Sequence, residues 1–144
     1  MTQKLVKKVK DLMTKGVGTA RPDDTLQKAA RQMEQLDVGP LPVVENDVVV
    51  GILTDRDITV RAVAAGCDPK QTIVREAMTT ELVCCHPEED IQSAVLRMEE
   101  CEVRRLPVID RDNHLVGMVA LADLARHASA REATQALKGV SQPS

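Results

Sequence analysis

The sequence contains no Phe, Tyr or Trp in its 144 residues. Any core must therefore be built from aliphatic side chains, Met and Ala, and the ring faces on which single-stranded nucleic acids stack their bases are missing. No charge of one sign dominates either: 19 basic and 22 acidic residues leave a net charge of -3, too little to draw nucleic acid or an anionic membrane from a distance. No apolar run approaches the length of a membrane span, and Lys7, Lys8 and Lys10 near the start are not followed by the apolar stretch of a secretory signal. A cytoplasmic protein without membrane or nucleic-acid contacts is expected. Cysteine is sparse. Cys67, Cys84, Cys85 and Cys101 form no C-x-x-C pair and share no repeated spacing with histidine, so they read as small buried hydrophobes and no metal site is predicted. Adjacent Cys84 and Cys85 would point to opposite faces of a strand, which leaves Cys84 with His86 as the weaker, zinc-binding alternative.

Catalytic signatures are absent as well. No Ser/His/Asp arrangement, distinctive carboxylate pair, P-loop or H-E-x-x-H is present, so neither enzyme chemistry nor a cofactor is predicted. At 43% hydrophobic, the chain is long enough to bury a real core as one domain or two small ones.

What the sequence does contain is a duplication. Val9-Lys10-Asp11-Leu12-Met13-Thr14 matches Val74-Arg75-Glu76-Ala77-Met78-Thr79, Pro22 matches Pro87, and Leu41-Pro42-Val43 matches Leu106-Pro107-Val108. Beyond an inserted residue near Asn113, Gly51 falls on Gly117 and Asp57 on Asp123. Each unit reads β-α-β-β-α. A short strand near Val17 to Ala20 precedes a helix with apolar positions Leu26, Ala29, Ala30, Met33 and Leu36, repeated as Ile91, Ala94, Val95, Met98 and Cys101. Strands follow at Leu41 to Val44 and Val48 to Leu53, then a helix from Asp55 to Ala65; the second copy has strands at Leu106 to Ile109 and Leu115 to Val119 and a helix from Leu121 to about Lys138. The predicted fold class is α/β (α+β), with two repeats packed about a pseudo-twofold axis. The predicted organisation is a basic N-terminal segment 1–8, a first repeat 9–66, a linker 67–73, a second repeat 74–127 and a C-terminal helix end and tail 128–144. Lys4 to Leu12 reads as a short basic helix with a solvated face.

Thr54 and Asp57 stand at the spacing of an N-cap and its N3 partner, where the strand Val48 to Leu53 hands over to a helix. They read either as a structural cap or as groups facing a ligand.

The motifs Asp11-Leu12-Met13-Thr14, Pro22-Asp23-Asp24-Thr25-Leu26, Leu41-Pro42-Val43-Val44 and Gly51-Ile52-Leu53-Thr54-Asp55-Arg56-Asp57, with their repeats through Arg104-Arg105-Leu106-Pro107-Val108, resemble tandem CBS (cystathionine-β-synthase) domains, the Bateman module, of the stand-alone bacterial type. The resemblance spans residues 9 to 127. It implies a regulatory sensor of an adenosine-containing ligand (AMP, ADP, ATP, NAD(H) or S-adenosylmethionine) that dimerises and acts on a regulated protein the sequence does not identify. It also implies two clefts between the repeats. The first would comprise Ile52, Thr54 and Asp57 with Val83, Cys84, Val103, Arg104 and Pro107, and Arg56 or Arg105 would reach the phosphates. The second would comprise Met118, Ala120 and Asp123 with Gly18, Thr19, Val38, Gly39 and Pro42, and is the weaker because Ala120 lacks a hydroxyl and Gly39 replaces an arginine. A ligand-free interaction or stress-response module is the alternative. The long last helix, with Leu124, Ala125, Ala128, Ala136 and Leu137, is expected to supply the homodimer surface.

Overall fold

The computed structural model describes residues 8–127. A 3-10 turn at Val9–Asp11 is followed by helix α1 (Leu26–Leu36), strands β1 (Pro40–Glu45) and β2 (Val48–Thr54), and a short helix α2 (Asp55–Asp57) that runs on as a π-helix over Ile58–Val63. Then come α3 (Val74–Ala77), α4 (Ile91–Cys101), β3 (Arg105–Ile109), β4 (Leu115–Ala120) and α5, helical over residues 121–127. The predicted unit is present twice, with its first strand reduced to single parallel bridges, Ala20 to Val43 and Cys85 to Val108.

The two antiparallel hairpins share their irregularities. In β1–β2 the register slips between Val43 and Val44, and in β3–β4 between Val108 and Ile109, so that Val50 and Val116 are left unpaired at equivalent bulges. Their turns differ where the sequence predicts an insertion. Asn46 and Asp47, both at positive φ, close the first hairpin with two residues; in the second, Asp110 accepts the Asn113 N–H and Asn113 alone has positive φ, the geometry of a three-residue loop.

Helix α1 starts where the Thr25 hydroxyl accepts the Lys28 N–H, and both α1 and α4 stop at a left-handed residue, Asp37 or Glu102. Their buried stripe is narrower than the periodicity suggests: Leu26, Ala29 and Met33, or Ile91, Ala94 and Met98, face the core, whereas Ala30, Leu36 and Cys101 are exposed.

Each core is completed by a segment from the other repeat. Val74, Ala77 and Met78 pack with Leu26, Leu41, Val43 and Leu53 of the first repeat, while Val9, Leu12 and Met13 pack with Leu106, Val108 and Met98 of the second. Matching hydrogen bonds fix the exchange: Val74 N–H to the Asp24 carbonyl at 2.8 Å and Arg75 N–H to Pro22 at 2.9 Å, against Val9 N–H to Glu89 at 2.9 Å and Lys10 N–H to Pro87 at 3.0 Å. Lys10 pairs with Glu88 as Arg75 pairs with Asp23. The pseudo-twofold axis passes between Val48 and His114, equivalent residues that bridge one another.

This exchange corrects the reading of the N-terminal segment. Among the described residues of that segment, Val9 is completely buried in the second core and a single 3-10 turn spans Val9–Asp11, so this part packs against the second repeat rather than presenting a solvated helix face. Leu124 is likewise fully buried and belongs to the second core, so it supplies no dimer surface. The predicted start of the basic helix at Lys4 and the predicted continuation of the last helix to about Lys138, with Ala128, Ala136 and Leu137, lie outside the described residues. Among the described residues no helix is long and apolar enough to cross a membrane.

Candidate ligand clefts between the repeats

The exchanged segments lead into the stretches predicted to line the clefts. Thr79 exchanges backbone hydrogen bonds with Ile52 of β2, at 3.0 and 2.9 Å, and six residues later Cys85 does the same with Pro107 and Ile109 of the other sheet. The stretch holding Val83 and Cys84 is thus tethered to one repeat at each end. By the same logic Thr14 bonds Met118 at 2.8 and 2.9 Å and Ala20 bonds Pro42 and Val44, which places Gly18 and Thr19 on the second crossing. Glycine is required where each crossing meets its strand. A Cβ on Gly51 would lie 2.9 Å from both the Thr79 carbonyl and the Met78 sulfur, and one on Gly117 would lie 2.8 Å from the Thr14 carbonyl.

Of the residues predicted for the first cleft, Thr54 and Asp57 form a reciprocal cap. The Asp57 N–H donates to Thr54 Oγ1 and the Thr54 N–H to Asp57 Oδ2, both at 3.0 Å. Asp57 Oδ1 is left with a longer ion pair to Arg61 Nε at 3.9 Å, and the carboxylate is 14% exposed. Of those predicted for the second, Ala120 offers no hydroxyl. Asp123 turns outward to Arg126 instead and is 45% exposed.

The remaining predicted residues gather at the hairpin ends of their own repeats. The Gly39 carbonyl accepts the Asp55 N–H at 3.0 Å and the Arg104 carbonyl accepts the Leu121 N–H at 2.7 Å, with Val38 and Val103 bonded back to Met33 and Met98. Arg105 pairs with Ala120 across the second hairpin. The side chains of Arg56, Arg104 and Arg105 make no ion pair among the described residues, and no hydrogen bond joins them to Thr54 or Asp57. A groove of about 450 Å³ brings Val17, Thr19 and Val44 against His114 and Gly117 of the other repeat; among the predicted site residues, Thr19 lines it.

Sequence reasoning missed the residues that brace these crossing stretches. Arg97 donates to the Cys84 carbonyl at 2.9 Å and forks onto Glu89, where Gln32 at the equivalent place in α1 donates to the Thr19 carbonyl at 2.8 Å. The Arg97 hydrogen bond holds the Glu89 carboxyl below its ordinary range, against the opposing effect of burial. Burial raises the Cys84 thiol and pushes Cys85 up to about 12. The one group of three potential metal donors among the described residues is Asp110, Asp112 and His114, in the second hairpin turn; Cys84 and His86 are not part of it, and the His86 ring nitrogen bonds the Ile109 carbonyl.

Comparison with known proteins agrees with this architecture. The CBS domain family matches residues 9–63 and again 74–130. The CBS domain-containing protein YhcV of Bacillus subtilis is 48% identical over 92% of this chain and 94% of its own. The crystal structure of Hypoxic Response Protein I, with two coordinated zinc ions, superposes with a TM-score of 0.76 at 39% identity, covering 83% of this chain and 98% of that one. The CBS domain pair of protein MJ0100, in complex with 5'-methylthioadenosine and S-adenosyl-L-methionine, gives a TM-score of 0.78 at 26% identity, over 88% and 99% of the two chains. The chain belongs to the CBS domain family, as a tandem pair of CBS repeats related by a pseudo-twofold axis.

Proposed function

We propose that this CBS pair is a non-enzymatic regulatory module that binds an adenosine-containing nucleotide between its repeats, tightest in the first cleft. The observation that carries this reading is Asp57. Its Oδ2 completes the cap while Oδ1 keeps only a 3.9 Å ion pair, leaving acceptor capacity for the vicinal hydroxyls of a ribose. Arg56, Arg104 and Arg105, without carboxylate partners among the described residues, supply cations for phosphates. The adenosyl ligands in the structure of the MJ0100 pair support the same ligand class.

A specific observation favours the ligand-free reading too: Thr54 and Asp57 already satisfy one another as a cap. Thermal-shift measurements with AMP, ADP, ATP, NADH and S-adenosylmethionine separate the two, because a ligand that prefers the native state raises its melting temperature by mass action. One or more of these ligands is expected to do so; flat curves across the panel, up to millimolar ligand, would leave the interaction module as the better account. The protein is proposed to work in the cytoplasm as a homodimer, without a cofactor or metal. Elemental analysis is expected to find no stoichiometric zinc, and one zinc per chain would contradict that part of the proposal.

A further inference from the structure

Arg61 makes contacts that neither the cap nor the nucleotide reading uses. Its Nε faces Asp57 Oδ1 at 3.9 Å, and its Nη1 donates to two carbonyls of the exchanged segment, Ala77 at 3.4 Å and Met78 at 3.2 Å. Those carbonyls immediately precede Thr79, the residue through which the crossing strand is bonded to Ile52. Arg61 lies within the π-helix Ile58–Val63, whose wider turns are seen in Ala64 N–H bonding back to Thr59 and Cys67 N–H to Ala62. The equivalent segment of the second repeat begins as an α-helix, and there Asp123 pairs with Arg126, one residue earlier in the turn. The position equivalent to Arg61 is His127, so the guanidinium that links the site carboxylate to the crossing strand at the first cleft has no guanidinium counterpart in the second repeat.

We propose that Arg61 is a positioning residue that couples the Asp57 carboxylate to the crossing strand at Thr79, so that occupation of the first cleft is transmitted to the segment joining the two repeats. The inference rests on the nucleotide reading for its ligand and on the unliganded geometry for its coupling. A ligand hydroxyl that donates to Asp57 Oδ1 holds the carboxylate in place and tightens its long contact to Arg61 Nε. The same planar guanidinium carries the bonds to Ala77 and Met78, so a shift at one edge moves the other. Only two groups of opposite charge and two backbone acceptors are involved.

The test combines amide hydrogen exchange at Ile52 and Thr79 with calorimetric titration of AMP, using Asp57→Asn, Arg61→Met, Arg61→Lys and the Asp57→Asn/Arg61→Met double variant. In the unliganded protein, Arg61→Met is expected to speed exchange at both amides by about threefold or more, and Asp57→Asn to do likewise. The double variant should be no faster than the worse single one, the non-additivity expected of residues acting as a unit. AMP should slow these amides in the parent chain and not in Arg61→Met, whose affinity should fall roughly tenfold. Arg61→Lys restores a cation beside Asp57, so affinity should stay within about threefold of the parent, while exchange stays fast for want of the planar fork. Circular dichroism and melting of each variant separate coupling from unfolding. Additive effects in the unliganded cycle, or unchanged exchange in Arg61→Met, would overturn the inference whether or not AMP binds. If the parent chain binds no AMP, the proposed ligand class falls, and the unliganded cycle still decides the role of Arg61.

Discussion

Asp57 carries two duties on one carboxylate, and its neighbours let them be separated. Thr54→Ala deletes the hydroxyl that accepts the Asp57 N–H, so it should destabilise the protein by about 0.5–2 kcal/mol, read as a lowered urea midpoint with an unchanged slope. Glu89 offers a pH signature. Its folded-state value lies below the ordinary 4.5 because Arg97 bonds it, so its contribution to stability is present above that value and is lost as pH falls through the lower, folded one. Glu89→Gln should therefore lower the melting temperature near neutral pH and flatten its decline below about pH 4.5. A variant whose acid limb parallels that of the parent would show that the Arg97 fork contributes nothing. Thiol reactivity follows the same local logic. Of the four cysteines expected to be buried only Cys85 is fully so; Cys67 and Cys101 are exposed and should be alkylated quickly by iodoacetamide in the native protein, while Cys85, its thiol pushed up to about 12, should react only on unfolding.

At the scale of elements, the repeat allows each prediction to be made in duplicate. Gly51→Ala and Gly117→Ala both drive a methyl against a backbone carbonyl of the crossing strand, so each should destabilise by about 1–3 kcal/mol in denaturant titrations. Helices α1 and α4 end on Asp37 and Glu102 with φ of 53° and 56°, a conformation that costs an L-residue about 1–2 kcal/mol. Asp37→Gly or Glu102→Gly should recover part of that and raise the melting temperature. Much of this was legible in the sequence, because the apolar β-branched run along Val48–Leu53, the Thr54–Asp57 spacing and the extra residue near Asn113 are local signals. The π-helix was not: residues 58–63 carry an ordinary helical pattern, and nothing local announces the wider turns. Nor were the Arg97–Glu89 fork and the Arg61 contacts to Ala77 and Met78, although comparing Arg97 with Gln32, or noting that Asp57 and Arg61 stand four apart, would have pointed to them.

At the scale of the molecule, the exchange of leading segments explains why the repeat boundaries in sequence do not divide the cores. The duplication and its axis could be read from the sequence, but which repeat each leading segment joins is a long-range choice that the local pattern of Val9 to Met13 or Val74 to Met78 does not encode. Residues 74–144 alone would lack Val9, Leu12 and Met13, and residues 1–73 would lack Val74, Ala77 and Met78, so neither half should fold separately, while the two mixed should recover helical circular dichroism. The two proposed clefts are of unequal chemistry, one with a hydroxyl and a tucked carboxylate, the other with Ala120 and an outward Asp123. Calorimetric titration of an adenine nucleotide into the parent chain, Asp57→Ala and Asp123→Ala tests that account most directly, provided that circular dichroism shows all three folded. The account predicts a tight transition at least roughly tenfold stronger than any second one, about 1.4 kcal/mol, lost in Asp57→Ala and kept in Asp123→Ala; loss in Asp123→Ala alone, or persistence in both, would contradict it.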